Sequence, residues 1–249
     1  MKLFSTPKLF VYQLKLWYKH MFTYPKLHMG VVDYDAYWRD KRGENIGALS
    51  DWQVERAQFV VDTLKDEKDI SLLDIACGDG SIIHFIKQKL SLSKMIGTDV
   101  STFALDRAEK FGIETRILDI GDTKQFVNIP VADYAILFEI LEHVPHSEEL
   151  LTATYNKMQK GVFFSFPNTG FFIHRFRLFF GKFPMQWRMF PGEHVRYWTK
   201  QDLVWWVHAL GFQNTQIHCY KGVPILNRIW PGMFAAGFVV YLPKTLIQT

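Results

Sequence analysis

From about residue 50 onward the chain alternates two kinds of apolar pattern. Short runs dense in Leu, Ile, Val and Phe are separated by polar stretches whose apolar positions fall three and four apart. The first pattern is that of buried strands and the second that of amphipathic helices. Strands are expected over Ser71–Ala76, Lys94–Asp99, Thr115–Leu118, Ala132–Phe138, Gly161–Phe166, Asn214–Tyr220 and Ala236–Leu242. Helices are expected over Ser81–Leu90, from a Ser101 cap toward Phe111, over Glu148–Gln159, and over Thr199–Leu210, which Gly211 would end. The near-continuous apolarity of 132–138 suits a parallel strand covered on both faces. Alternation of this kind specifies an α/β, doubly wound sheet.

Outside that pattern lie two aromatic and basic stretches. Residues 1–49 form an N-terminal extension, and residues 50–249 form one domain with a lid-like insertion near 168–198. Within the extension, Lys8, Lys15 and Lys19 fall near one line of a helix over 7–24, with Trp17 and Phe22 among its apolar residues. Such a helix can lie in a membrane interface, or pack on the domain as a lid or dimer contact. The segment Phe171–Phe183 has the same character, and the two together point toward a lipid-linked or hydrophobic ligand.

Composition adds mostly exclusions. With 48% hydrophobic residues and a net charge of +4, the 249-residue chain is an ordinary folded protein, too weakly basic to imply a nucleic-acid partner. Two cysteines, Cys77 and Cys219, give neither a disulfide framework nor a zinc pattern, which suits a cytoplasmic setting. The first residues lack a signal peptide's apolar core, and no apolar run approaches the roughly 18 residues of a membrane span.

The chemistry gathers at the strand ends. Leu72-Leu-Asp-Ile-Ala-Cys-Gly-Asp-Gly80 places Asp74 near the end of the first strand, and Gly78 and Gly80 in the turn that follows. Those glycines let the backbone approach a ligand, and the helix beyond offers unpaired N–H groups. Ile83 stands where a dinucleotide fingerprint needs its third glycine, and no Lys-Ser/Thr follows as a phosphate-cradling loop requires. Asp99 closes the second strand at the offset of a ribose-binding acid, and Asp119 closes the third, where it could face an adenine amino group. Three acids in register with a glycine turn fit an adenosyl ligand without a pyrophosphate.

Residues 71–144 therefore resemble the core of the class I S-adenosylmethionine (SAM)-dependent methyltransferases. That resemblance implies a Rossmann-like, seven-stranded, mostly parallel sheet with helices on both faces and an antiparallel last strand. It also implies SAM as cofactor, with Asp74, Gly78 and Gly80 by its methionine part, Asp99 on the ribose, Asp119 and Ile120 by the adenine, and Glu139 touching it. Gly161–Gly170, the Arg- and Phe-rich segment to Pro184, and Thr199–Leu203 resemble MetW-like proteins of methionine biosynthesis. In that reading the chain acts mainly through a partner acyltransferase. Phe138-Glu-Ile-Leu-Glu-His-Val144 instead is similar to ubiquinone-pathway and small-RNA O-methyltransferases. The small-RNA family implies a divalent metal held by Glu139, Glu142, His143 and a later histidine, here matched by His194. Two readings stay open. Either that set holds a metal, or Glu142 and His143 only begin a helix while His143 or His194 serves as general base.

Overall fold

The computed structural model describes residues 32–42, 47–184 and 193–244, with single positions 15, 18, 22 and 24. Seven strands form one sheet: β1 (Ile70–Ile75), β2 (Leu92–Asp99), β3 (Glu114–Ile117), β4 (Ala132–Phe138), β5 (Met158–Pro167), β6 (Gln216–Tyr220) and β7 (Gly237–Pro243). Their order across the sheet is β3-β2-β1-β4-β5-β7-β6. The first five run parallel, and β7 inserts antiparallel between β5 and β6. The expected Rossmann-like sheet with an antiparallel last strand is the observed one.

The helices follow in chain order as α1 (Tyr34–Arg42), α2 (Asp51–Thr63), α3 (Ser81–Lys87), α4 (Thr102–Ala108), α5 (Ser147–Lys157), α6 (Phe172–Phe179), α7 (Lys200–Ala209), α8 (Leu226–Ile229) and α9 (Pro231–Phe234). Two apolar layers sandwich the sheet. One joins Leu73, Ile75, Leu137 and Phe164 to α5 and α7, and the other joins Leu72, Ile136 and Phe163 to α2 and α3. Strands β1, β4 and β5 contribute to both layers, which is why they read as continuous apolar runs.

Several boundaries differ from expectation. The helix expected over 148–159 ends at Lys157, and β5 begins at Met158 rather than at Gly161. Met158 is buried and pairs with Ala132, so the ladder claims residues whose local pattern still allowed helix. Helix α2 lies within the alternating stretch, at a place where no strand or helix is expected from the pattern. It buries only Arg56, Ala57, Val60 and Val61, a narrow stripe with a cation in it. The one clear local signal is its start: the Ser50 hydroxyl accepts from the Gln53 N–H, and the Gln53 side chain accepts from the Ser50 N–H. Most of 7–24 and the insertion's residues 185–192 lie outside the described residues. Among the described residues, no helix is long and apolar enough to cross a membrane.

Candidate functional site

Parallel strands of a doubly wound sheet leave a crevice at their carboxyl ends, where the strand order reverses. Here that crevice is a cavity of about 1120 Å³ above β1, β2 and β4. Asp99, Asp119 and Ile120 line one part of it, and Glu139, Glu142, His143 and His194 line another. Asp74, Gly78 and Gly80 are not in its wall, although Ala76, Cys77 and Asp79 of the same turn are.

At the acidic end, Asp99 is buried and accepts from the Gly78 N–H at 2.8 Å and the Ser101 N–H at 2.9 Å. Burial raises its pKa, against those N–H groups, which lower it. Asp74 is buried behind the turn with its Oδ2 unpartnered, and burial, then the charges of Asp99 and Asp79, push its pKa well up. Asp119 is exposed and accepts from the Gly121 N–H at 2.8 Å. The two glycines do different work. Gly78, at φ +56°, lies beneath the Trp38 ring, where an added Cβ would come within 2.2 Å of the indole. Gly80, at φ +73°, faces Ala108 and Ile113 instead, so its missing side chain lets α3 and α4 approach.

Trp38 and Tyr34 belong to α1, a helix that sequence reasoning placed in the extension and not in the site. Asp35 ties α1 down: it accepts from the Ser101 hydroxyl at 2.5 Å and from the Phe103 N–H at 3.2 Å. Both Tyr34 and Trp38 line the cavity. Nothing in a local pattern announces such a wall, because the contact joins segments more than sixty residues apart.

At the other end, β4 stops at Glu139, whose backbone turns to φ +58°, a costly conformation for a residue with a Cβ. Its N–H is held by the Ser165 carbonyl at 3.1 Å. Its Oε1 accepts from the Ser165 hydroxyl at 3.0 Å and the Tyr220 hydroxyl at 2.9 Å, and stands 3.5 Å from the buried Arg56 guanidinium. Arg56 donates to the Tyr220 oxygen as well. Glu139 is thereby the counter-ion of Arg56, a role that sequence reasoning did not foresee for any of these residues.

Glu142 and His143 sit on a single 3-10 turn, Leu141–His143. The end of the insertion reaches them because the N–H groups of Val195 and Arg196 both donate to the Glu142 carbonyl, at 2.8 and 3.1 Å. Arg196 also bridges to Glu148 at 2.8 Å, and Trp206 donates to the same carboxylate. Ligand atoms of Glu142, His143 and His194 consequently lie within 4.8 Å of one another; Glu139 stands outside that group. The two imidazoles meet edge to face, 4.5 Å between centroids. Both Glu142 oxygens are buried without a hydrogen-bond partner, and burial, then the charge of Glu139, drives the pKa well up. Burial lowers His143, and burial with His143 beside it pushes His194 down to about 3. A buried carboxylate with two idle oxygens, beside two imidazoles, can ligate a cation or relay a proton.

A family model described as a methyltransferase domain matches residues 48–217. Among solved structures, a SAM-dependent methyltransferase from Anabaena variabilis superposes with a TM-score of 0.56 at 21% identity, over 90% of this chain and 98% of that one. The small-RNA methyltransferase HEN1 gives 0.57 at 21%, over 78% of this chain and 25% of its own. Magnesium protoporphyrin IX methyltransferase from Synechocystis, with bound SAH, gives 0.55 at 13%, over 96% and 97%. At these identities the likeness is one of fold. No curated protein matches the sequence.

Proposed function

The chain belongs to the methyltransferase-domain family, and from that premise we propose that it moves the methyl group of SAM onto an oxygen held beside Glu142, His143 and His194. One observation carries the reading: a single cavity joins the acids at the ends of β2 and β3 to that carboxylate–imidazole group. SAM would occupy the first part, its ribose on Asp99 and its adenine between Asp119 and Ile120, with Tyr34 and Trp38 as the outer wall. Asp74, Gly78 and Gly80 would shape the turn that receives the methionine end. The acceptor would occupy the second part. Names of the structural neighbours span a small RNA and a porphyrin, so they do not select an acceptor. The lining supports one class: Trp52, Phe138, Val144, Phe171 and Ile173 suit an acceptor with an apolar body, small or lipid-linked.

In the transfer, the acceptor oxygen forms a bond to the methyl carbon as the carbon–sulfur bond breaks, and SAH leaves. The acceptor's proton passes to an imidazole nitrogen of His143, since burial beside His143 leaves His194 too weakly basic to take it. The Glu142 carbonyl, which accepts from the N–H groups of Val195 and Arg196, keeps His194 beside His143.

The same three residues fit a divalent cation, because the idle Glu142 oxygens and two imidazole nitrogens make a mixed O/N set. When bound, such an ion lowers the acceptor hydroxyl's pKa and fixes its orientation. Glu139, engaged by Arg56 and Tyr220, would not be among its ligands. Titration calorimetry with Mn or Zn tests the fit: expected is one site, lost in Glu142→Gln, while chelation leaves SAM binding intact. Heat of SAM binding with no metal isotherm would leave proton transfer to His143 alone.

A further inference from the structure

Helix α6 has two faces. Phe171, Ile173 and His174 at its start line the cavity, whereas Phe176, Leu178 and Phe179 point outward, Phe179 with 81% of its surface exposed. A second projection follows Lys221 and Gly222, which line the same cavity: Ile225, Ile229 and Trp230 stand out of α8, 61% to 73% exposed. The projections share a base. Phe172 meets Phe234 at 5.7 Å, Phe234 meets Trp230 at 6.1 Å, and the Asn168 amide donates to the Gly232 and Ala235 carbonyls.

Ile225 makes this face more than incidental. A β-branched residue at φ +70° is a genuine outlier that costs free energy, and here the strain holds an apolar side chain in water. Scattered surface hydrophobics are normal, but aromatic and aliphatic side chains grouped on two joined projections mark a contact surface.

Charge says what kind of surface it meets. No Asp or Glu lies between Glu149 and Glu193, and none follows Asp202, so both projections are borne by chain without a single acid. Arg175 and Lys182 flank the first projection and Arg228 sits on the second. Exposed Phe, Ile and Trp beside Arg175, Lys182 and Arg228 complement a surface that is anionic at its head groups and apolar beneath, while Glu55 near the second projection is paired with Lys221.

We propose that α6 and α8 together form a docking face for an anionic lipid bilayer, set around the acceptor end of the cavity. Phe179, Ile229 and Trp230 enter the interface, and the bases stay at head-group level. On the methyl-transfer reading above, on which this consequence alone rests, the acceptor is then a lipid-borne hydroxyl delivered from the membrane.

Flotation of the full chain with vesicles tests the face without reference to catalysis. Expected is co-flotation with phosphatidylglycerol/phosphatidylcholine vesicles, weaker on phosphatidylcholine alone and reduced by high salt. Ile229→Ser/Trp230→Ser and, separately, Phe179→Ser/Phe180→Ser should each lower the bound fraction ~tenfold or more, since two large apolar side chains no longer leave water. All four residues are exposed, so neither pair should disturb SAM binding. As a check on the unmutated protein, lipid brominated on its acyl chains should quench fluorescence, and Trp230→Phe should remove part of that quenching. Failure of the full chain to float, or undiminished flotation of both double variants, would overturn the proposal. So would a dimer that the same variants dissociate, found without vesicle binding, since a second copy would then be the occupant. A protein that floats but transfers no methyl group would leave the face standing and remove the proposed function.

Discussion

Glu139 carries two demands in one side chain. It ends β4 in a left-handed conformation, and it neutralises Arg56, which is 7% exposed and has Tyr220 as its other polar partner. Removing one partner of a buried ion pair strands the other, at a cost of about 3–5 kcal/mol. Glu139→Ala should therefore lower stability by about that amount in denaturant unfolding; a loss below 1 kcal/mol would mean that water already solvates Arg56. Asp99 is a comparable case at the cofactor end. Asp99→Ala is expected to weaken SAM binding by about 1.5–3 kcal/mol, the scale of hydrogen bonds to a charged group. Unchanged affinity by calorimetry would take Asp99 out of the ribose site. The placement of such acids at strand ends was legible in the chain. Their partners were not. Glu139 read as a metal ligand beside Glu142, and only the packing of α2 and β6 shows Arg56 and Tyr220 claiming it.

Elements divide along the same line. Strands β1, β4 and β7 and the Ser101-capped α4 follow from local pattern, since their burial repeats along the sequence. Helix α1 owes its place to distant contacts, above all that of Asp35 with the start of α4. The Ser101 hydroxyl and the Phe103 N–H hold the Asp35 carboxyl below its usual pKa, so the folded state favours the ionised form. A depressed folded pKa gives stability that is present above the unfolded carboxylate value and lost as pH falls through the folded one. Hydrogen exchange of residues 34–42 should therefore quicken, relative to the core, as the solution is acidified through the carboxylate range. Asp35→Asn should remove that difference. Equal acid sensitivity in both proteins would assign the docking of α1 to Trp38 and its neighbours. Gly78→Ala probes the same helix from below. The added methyl meets the Trp38 ring at 2.2 Å and needs a left-handed backbone costing about 1–2 kcal/mol. Expected is a release of α1 that Trp38→Ala partly relieves, read as a smaller destabilisation in the double variant than in Gly78→Ala alone.

At the scale of the molecule, sheet order brings the two halves of the site together. Asp99 and Asp119 come from β2 and β3 on one side of β1, and Glu142 and His143 follow β4 on its other side. His194 arrives from the end of the insertion, pinned through the Glu142 carbonyl. A ligand bridging such a cavity stabilises the whole domain by mass action, about 2.7 kcal/mol at a hundredfold excess over Kd. The melting temperature should rise with SAM in the unmutated protein and in His194→Ala alike, since His194 lies at the acceptor end. Incubation with methyl-labelled SAM and a fractionated lipid extract of cells reads methyl transfer directly. Expected is label in an extractable lipid product, with SAH formed in equal amount, and loss of that label in His194→Ala while SAM still binds. A protein that binds SAM, holds an acyltransferase in stable complex and labels nothing would argue against methyl transfer and favour the MetW-like role, and labelling by His194→Ala at the unmutated rate would move the chemistry away from this group.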